Sequence, residues 1–380
     1  MAGPVNGFTV EATCALEFGP GAVARVPALV DGLGGAAAFV VTDAGLRATG
    51  IVDRVVGDLA AAGLRTEVFD GIGPNPSTTA VEHGATTLRA FGSCVVVAIG
   101  GGSVLDAAKG IALLATHHGA RATDDLWSSP TPGLPLVAVP TTAGTGAETN
   151  GFGVVEDTCA RRKVYLGHSS VRPRVAVLDP ELTVGLPPVA TAATGFDALV
   201  HGVESLASRG ANPVSDAAAA QAVALVGRWL PVAVDDGTDL EARAQLLLGA
   251  HLAGQALTVS GLGLVHGIAH AVTAHAVTAH TGTPHGVALA SVNEQVMRWS
   301  ADAAAQAYSR AGAALGTGDA VAGIAALVEG IGVRRPLHEL GVDRELLPVL
   351  AAAAVADPVT ANAPRTPTED DVREILDAAW

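Results

Sequence analysis

The first half of the chain alternates short apolar runs with longer alanine-rich stretches. Residues 37–42, 95–99 and 136–139 have the length and composition of buried strands, and each run is followed by a turn rich in Gly, Thr or Asp. Residues 51–62 and 79–91, which lie between the first two runs, have a helical pattern. Strands that alternate with helices predict a parallel sheet with both faces covered.

The strand pattern ends near residue 187, and the rest of the chain is predicted to be helical. Two adjacent prolines in the tripeptide 186–188 end the strand region and fit the first turn of a helix. We therefore predict an α/β domain over residues 1–186 and an all-helical domain over residues 187–380. A ligand site commonly lies between two such domains. The main helical candidates of the second half are 191–208, 213–232, 240–260 and 287–298.

Length and charge narrow the possible classes of protein. The chain has 380 residues, which suits two domains, and its formal net charge of −15 argues against a nucleic-acid partner. It has no uninterrupted run of about 18 apolar residues, so no membrane-spanning helix is predicted. Residues 1–18 lack the basic and then apolar order of a secretory signal. The three cysteines are scattered, which indicates reduced thiols and a cytoplasmic protein: Cys14, Cys94 and Cys159.

Two glycine-rich loops follow predicted strands and have the composition of phosphate-binding turns. Residues 100–103, Gly-Gly-Gly-Ser, precede a predicted helix at 104–114. Glycine lets the backbone approach a ligand, and the free N–H groups of a helix N-terminus favour an anion. A second loop, 140–146, offers hydroxyls and bare amides after the next strand. Two such loops at the carboxyl ends of strands predict a dinucleotide site. The alternative is that Ser103 and Asp106 only cap the helix.

Asp43 lies at the end of the first predicted strand. A carboxylate there can accept hydrogen bonds from a ribose 2′-hydroxyl and repel a 2′-phosphate. The alternative interpretation is an ordinary solvated turn residue.

A carboxylate and several histidines in the second half have the spacing of a metal site. Asp197 and His201 are four residues apart, as are His266 and His270, so each pair shares one face of a helix. His285 follows in a Pro-His-Gly motif. One carboxylate with several imidazoles suits Zn²⁺ or Fe²⁺. A single histidine on an apolar helix is more often a hydrogen-bonded core residue, so the hypothesis depends on the set.

The order of these motifs along the chain resembles that of a known protein family. They run from Gly-Ile-Gly-Pro-Asn-Pro at 71–76, through the two glycine-rich loops, to residues 193–198, the segment 263–270 and the Pro-His-Gly motif. The chain thereby resembles the iron-containing, or group III, alcohol dehydrogenases over almost its whole length. The resemblance implies an N-terminal dinucleotide-binding domain and a C-terminal helical metal-binding domain with a cleft between them.

The resemblance also assigns roles to individual residues. It implies metal ligands at Asp197, His201, His266 and His285, and a proton relay or nicotinamide-orienting role for His270. Asp43 matches the acid that binds ribose, which favours NAD over NADP. Asn75 and Phe152 match positions that flank the substrate. The positions that match cofactor contacts are Gly101, Gly102, Ser103, Thr141, Thr142, Thr145 and Lys163.

The expected function is hydride transfer between NAD(H) and a small alcohol or aldehyde, dependent on Fe²⁺ or Zn²⁺, in a homodimer or larger homo-oligomer. A maleylacetate-reductase-like enzyme is an alternative, and so is a metal-dependent lyase similar to dehydroquinate synthase that uses NAD transiently. The simplest alternative is a non-catalytic binding protein with structural histidines. Aromatic residues make up only 3% of the chain, which argues against an aromatic-lined substrate pocket.

A short repeat separates this sequence from the family pattern. The pentapeptide Ala-Val-Thr-Ala-His occurs at 271–275 and again at 276–280. His266 and His285 are thereby farther apart than the family spacing implies, and the excess equals one copy. A five-residue step turns a helix by roughly 140°, so His270, His275 and His280 could not all face one ion if the helix continued. We predict that one copy lengthens the connection; the alternative is that His275 or His280 is an additional ligand.

Overall fold

The apolar runs of the first half become the strands of one parallel sheet. The computed structural model describes residues 7–10, 13–160, 162–275 and 285–380. Within that part of the chain, six strands pair in the order β1-β8-β5-β4-β2-β3, and β6 and β7 form a separate antiparallel hairpin. The strands are β1 (Ala15–Phe18), β2 (Ala37–Val41), β3 (Arg65–Phe69), β4 (Val95–Gly100), β5 (Leu136–Pro140), β6 (Phe152–Asp157), β7 (Arg162–Gly167) and β8 (Val175–Leu178).

Both faces of the sheet are covered, as the continuous apolar runs predicted. Val40 and Val97 pack on one side, in a core shared with the first and third helices, whereas Phe39 and Val96 pack on the other side. The predicted strands at 37–42, 95–99 and 136–139 are confirmed as β2, β4 and β5, with ends that differ by at most one residue. The helices of this half are α1 (Val26–Gly32), α2 (Ala44–Arg47), α3 (Ile51–Ala61), α4 (Thr78–Phe91) and α5 (Gly102–Leu114).

The second half is helical in the described residues, as predicted. Pro187 and Pro188 stand at the start of α6, which begins three residues earlier than the pattern indicated. The apolar faces of these helices enclose one large core. The division into domains at residue 186 stays a prediction. The helices are α6 (Pro188–Ala207), α7 (Pro213–Asp235), α8 (Leu240–Ser260), α9 (Leu264–His275), α10 (His285–Ser300), α11 (Ala305–Leu315), α12 (Ala320–Gly330), α13 (Leu347–Ala356) and α14 (Glu369–Ala379).

One helix qualifies the prediction that no segment spans a membrane. By length and composition alone, α7 could cross one, and two pairs of bent helices pass the same test when each pair is taken together. In this structure α7 packs against α6 and α8, and its Val223, Val226 and Leu230 are fully buried. Its most apolar positions therefore form part of the helical core.

The pentapeptide repeat falls partly on α9. This helix continues to His275, so the first copy, 271–275, is helical. The second copy and residues 281–284 lie outside the described residues, and the predicted lengthening of the connection concerns that segment. Because the two copies are identical, deletion of either one gives the same protein.

Candidate metal centre and cofactor cleft

Three histidine side chains from three helices converge on one oxygen of Asp197. Asp197 and His201 project from the same face of α6, and His201 Nε2 lies 3.4 Å from Asp197 Oδ1. His266 on α9 brings its Nε2 to 3.3 Å from the same oxygen. His285, the first residue of α10, brings its Nε2 to 4.0 Å. The i, i+4 spacing predicted the first pair. The other two come from α9 and α10, which pack against each other, and α10 also packs against α6.

The donor set fits a divalent cation. One potential ligand atom from each of Asp197, His201 and His266 lies within 4.8 Å of those of the other two, and all three residues are buried. His285 lies at the margin of this group, and its side chain is 32% exposed. A buried carboxylate that faces several imidazole nitrogens needs a compensating positive charge. One carboxylate oxygen with imidazole nitrogens is a donor set that Zn²⁺ and Fe²⁺ accept.

The electrostatics of the cluster also fit a cation. Burial alone would raise the pKa of Asp197, but the neighbouring histidines, chiefly His201, hold it below its usual value. Burial lowers the pKa of His201 to about 4 and that of His285 well below its usual value. Burial also acts to lower the pKa of His266, but hydrogen bonds to Asp197 and Glu204 outweigh it and raise that pKa to about 9. A cation bound among these side chains would compensate the buried negative charge of Asp197.

Glu204 supports the cluster, and the sequence analysis did not identify it. Its Oε2 accepts a 2.6 Å hydrogen bond from His266 Nδ1, which leaves Nε2 of that ring free to face Asp197. The same carboxylate accepts the backbone N–H groups of Gly263 and Val265, at 3.1 and 2.7 Å, and so caps the start of α9. A carboxylate behind a ligating histidine fixes the ring orientation and tautomer. Its position seven residues after Asp197 on α6 was the available sequence signal.

The two glycine-rich loops lie side by side, because β4 and β5 are neighbours in the sheet. A Cβ at Gly102 would lie 2.4 Å from Thr145 Cγ2, and a Cβ at Gly101 would lie 3.3 Å from Thr142. Thr141 is buried directly after β5. The glycines of the first loop are thus needed for its close approach to the second loop, in addition to any role with a ligand.

The capping alternative for the first loop is wrong. Helix α5 begins at Gly102 with Gly101 as its N-cap residue, and no side chain caps it. Asp106 is occupied elsewhere, because its Oδ2 accepts the N–H of Val154 and its Oδ1 lies 3.2 Å from Lys109 Nζ. The free N–H groups at the start of α5 are therefore available to an anion.

A cavity of about 440 Å³ joins these loops to the histidine cluster. Lys163 and Asn75 line it together, with Lys163 Nζ donating to Asn75 Oδ1 at 3.1 Å. Burial lowers the pKa of Lys163. Asn75 has a φ of 50°, and it is the one non-glycine residue with positive φ in the part of the chain that the structure describes. The other predicted site residues on its wall are Gly102, Ser103, Thr145, Phe152, Asp197, His201, His266, His270 and His285.

Four of the predicted cofactor residues do not line this cavity: Asp43, Gly101, Thr141 and Thr142. Asp43 follows β2, and its Oδ1 accepts the N–H of Leu46 at 2.8 Å as the cap of α2. The turn interpretation of Asp43 therefore describes part of its role. This bond involves Oδ1, and the predicted contact with a ribose stays a prediction.

A parallel sheet with two apposed glycine-rich loops, joined by one cavity to a buried carboxylate–imidazole cluster, is typical of a metal-dependent enzyme that binds a nicotinamide dinucleotide. Comparison with known proteins agrees with this class. Residues 15–180 match the family described as iron-containing alcohol dehydrogenase, and residues 191–380 match the C-terminal part of the same family. The chain belongs to the iron-containing alcohol dehydrogenase family.

Curated relatives and a solved structure are similar to the chain over nearly its full length. Lactaldehyde reductase of Escherichia coli K12 is 35% identical over 377 residues, which cover 96% of this chain and 97% of that protein. The 1,3-propanediol dehydrogenase of Klebsiella pneumoniae is 37% identical over 379 residues and 96% of each chain. The crystal structure of a 1,3-propanediol oxidoreductase superposes with a TM-score of 0.93 at 35% identity, covering 99% of this chain and 100% of that one.

The chain is therefore an NAD- and metal-dependent alcohol dehydrogenase or aldehyde reductase that acts on a small molecule. The predicted fold class and family are confirmed. This result favours the oxidoreductase over the lyase and over a non-catalytic binding protein.

Proposed function

We propose that the enzyme interconverts short-chain diols and hydroxyaldehydes and uses NAD(H) to accept or supply the hydride. We also propose that a divalent ion is held by Asp197, His201, His266 and His285. The observation that carries the proposal is the position of Asp197 Oδ1, which faces three imidazole nitrogens at 3.3 to 4.0 Å. That cluster shares one cavity with the start of α5, where a dinucleotide pyrophosphate would bind.

The substrate class rests on the lining of the cavity. Besides the cluster, the wall includes two side-chain amides that can bind a second hydroxyl group, those of Asn150 and Asn362. The relatives named for lactaldehyde and 1,3-propanediol act on compounds that carry a second oxygen. A maleylacetate-reductase-like activity receives less support, because the carboxylate and all three histidines are present.

Different residues of the cavity bind the dinucleotide, flank the substrate and transfer the proton. A bound divalent ion supplies a Lewis acid that polarises the substrate oxygen. The start of α5 and the 140–146 loop hold the dinucleotide together with Lys163, and Asn75 flanks the substrate in the cavity. Phe152 contributes an apolar wall, and His270 takes the proton from the alcohol or returns it to the aldehyde oxygen.

A coupled assay tests the proposed activity. Metal-reconstituted enzyme should form NADH from 1,2- or 1,3-propanediol with a higher kcat/KM than from 1-propanol, because only the diols use the polar wall. Formation of NADH also separates this activity from a lyase that returns its NAD unchanged. If 1-propanol is the better substrate, the substrate class is wrong; if no alcohol yields NADH, the proposed function is wrong.

The predicted preference for NAD can be tested at Asp43. A carboxylate beside the ribose repels a 2′-phosphate, because two anions would share a poorly solvated site. Asp43→Gly should therefore improve kcat/KM for NADP relative to NAD by about tenfold, equivalent to about 1.4 kcal/mol. The N-cap of α2 is lost in this variant, so Asp43→Asn, which keeps the cap, is the control. An unchanged cofactor ratio in both variants would leave Asp43 as a turn residue.

Three further properties belong to the same proposal: a cytoplasmic location, a division into domains 1–186 and 187–380, and a homodimer or larger homo-oligomer. The edge strand β1 supports self-association, because Leu16 and Phe18 are 40% and 43% exposed beside a strand edge that pairs with no other strand of the described residues. Light scattering of the purified protein measures the oligomeric state.

A further inference from the structure

Three side chains from separate elements meet beside the cavity, and two of them, Tyr165 and His270, line it. Tyr165 lies on β7, His270 on α9, and Asp357 directly after α13. His270 Nδ1 is 3.0 Å from Asp357 Oδ2 and 3.3 Å from the Tyr165 hydroxyl oxygen, and that hydroxyl is 3.4 Å from Asp357 Oδ1. The group therefore connects the hairpin of the first half to two elements of the second half.

The contacts determine which groups carry protons. A carboxylate accepts hydrogen bonds, and Asp357 also accepts the backbone N–H of Val359 at 3.0 Å. Burial raises the pKa of Tyr165 far above its usual value, and Asp357 adds to the rise, so the tyrosine keeps its proton and is a donor. The third neighbour of the carboxylate is then the N–H of His270 Nδ1. With the proton on Nδ1, the other ring nitrogen, Nε2, carries a lone pair.

The two His270 nitrogens thus have different roles. The His270 and Asp357 side chains are only 12% and 11% exposed, so water competes weakly for their hydrogen bond. His270 lines the cavity together with Asp197 and His285, and Nδ1 is occupied by Asp357. Nε2 is the nitrogen left for the substrate.

We infer that Asp357 is a positioning residue, which holds His270 with the proton on Nδ1 and the Nε2 lone pair available to the substrate, and that Tyr165 holds Asp357 in place from across the cleft. This inference rests on the proposed role of His270 in the oxidation of an alcohol. It assigns to the chain a second carboxylate–imidazole pair, whose His270 ring stacks on that of His285 at a centroid distance of 5.4 Å.

The proton and hydride balance in the step. The alcohol hydroxyl gives its proton to His270 Nε2, and the hydrogen on the carbinol carbon passes as hydride to the nicotinamide ring. The alcohol is thereby oxidised to the aldehyde and NAD⁺ is reduced to NADH. The imidazolium that forms keeps its Nδ1–H bonded to Asp357, whose negative charge stabilises it, and the Nε2 proton then passes to water.

Asp357→Asn tests the inference with little change of shape. Asparagine can still cap the turn at Pro358–Asn362, but its single carbonyl oxygen cannot accept from all three donors. We expect kcat for the diol to fall about 100-fold, while the bound metal and the dissociation constant for NADH stay within about twofold. The solvent deuterium isotope effect on kcat should rise, because proton transfer becomes slower. Asp319→Asn is the matched control, since Asp319 caps α12 and does not line the cavity.

Chemical rescue separates positioning from a structural role. Asp357→Ala should regain activity when formate is added, because formate can restore a carboxylate beside Nδ1. The double variant His270→Ala with Asp357→Ala should gain nothing from formate. Tyr165→Phe leaves the His270–Asp357 pair intact and should lower kcat by less than Asp357→Asn does.

The outcomes distinguish this inference from the proposed function. If the unaltered enzyme forms no NADH from any alcohol, the proposed function fails first. If the unaltered enzyme is active and Asp357→Asn has a normal kcat, the inference is wrong. It is also wrong if the lost activity is accompanied by an equal loss of metal or of NADH binding, or if formate activates the double variant.

Discussion

Asp197→Asn is expected to lose its bound divalent ion and almost all activity. The substitution keeps the size of the side chain but removes the negative charge that all three imidazoles share. It also brings an amide that can donate, so part of the site would present N–H instead of a lone pair. Because this position is buried, water cannot stabilise a cation there in place of the lost carboxylate. We expect kcat to fall at least about 1000-fold, more than the tenfold to 100-fold that the loss of a supporting residue gives.

Elemental analysis of the purified variant, together with the NADH-forming assay, measures both effects. Asp236→Asn is the control, since this aspartate is exposed and belongs to a turn before α8. His201→Ala and His266→Ala should behave like Asp197→Asn. Any of the three variants that keeps a full complement of metal and a normal rate would remove that residue from the proposed ligand set.

Gly286→Ala is expected to damage both stability and the metal centre. This glycine of the Pro-His-Gly motif lies where α10 crosses α6, and a Cβ there would be 1.9 Å from the carbonyl oxygen of Ala193. Backbone atoms on both sides of this contact leave no flexible side chain to move aside. We expect the free energy of unfolding to fall by roughly 3 kcal/mol, and His285, the preceding residue, to be displaced from Asp197.

Thermal unfolding and the metal affinity of the same variant measure the two effects. Gly57→Ala is the matched control. Gly57 lies inside α3, and a Cβ there would meet nothing within 4 Å, so alanine should stabilise the protein by up to about 1 kcal/mol. If Gly286→Ala unfolds at the same temperature as the unaltered protein and binds metal normally, the contact with Ala193 does not restrict this position.

The sequence predicted the interior of the sheet better than its edges. Strands β2, β4 and β5 are buried on both faces and appear as continuous apolar runs. Strand β3 was missed because it lies at the edge of the sheet, where Arg65 and Glu67 interrupt the apolar pattern. The exposed edge strand β1 also has too few buried positions to give a clear signal. Strand β8 is an exception, because it lies inside the sheet and is fully buried, but its run of four residues was too short to be recognised.

The sequence predicted those site residues that are close together in the chain better than those that only tertiary packing brings together. Asp197 and His201 follow from helix geometry, since residues four apart share a face. Their juxtaposition with His266 depends on tertiary packing, which no local pattern contains. The set of histidines indicated a metal site, and the family resemblance identified which of them are ligands. Glu204 and Asp357 escaped prediction for the same reason, because they bond to histidines 62 and 87 residues away.

Glu204 also sets a limit on how this enzyme can diverge. The carboxylate accepts from a side chain and from two backbone N–H groups, so each of its oxygens has an obligatory partner. Aspartate is one methylene too short to reach all three, and glutamine would turn a donor toward a donor. Neither of the most similar residues can therefore replace glutamate at position 204, even though this position does not line the main cavity. Descendants of this sequence can acquire new substrates by altering the polar wall, but they inherit this glutamate with the metal centre.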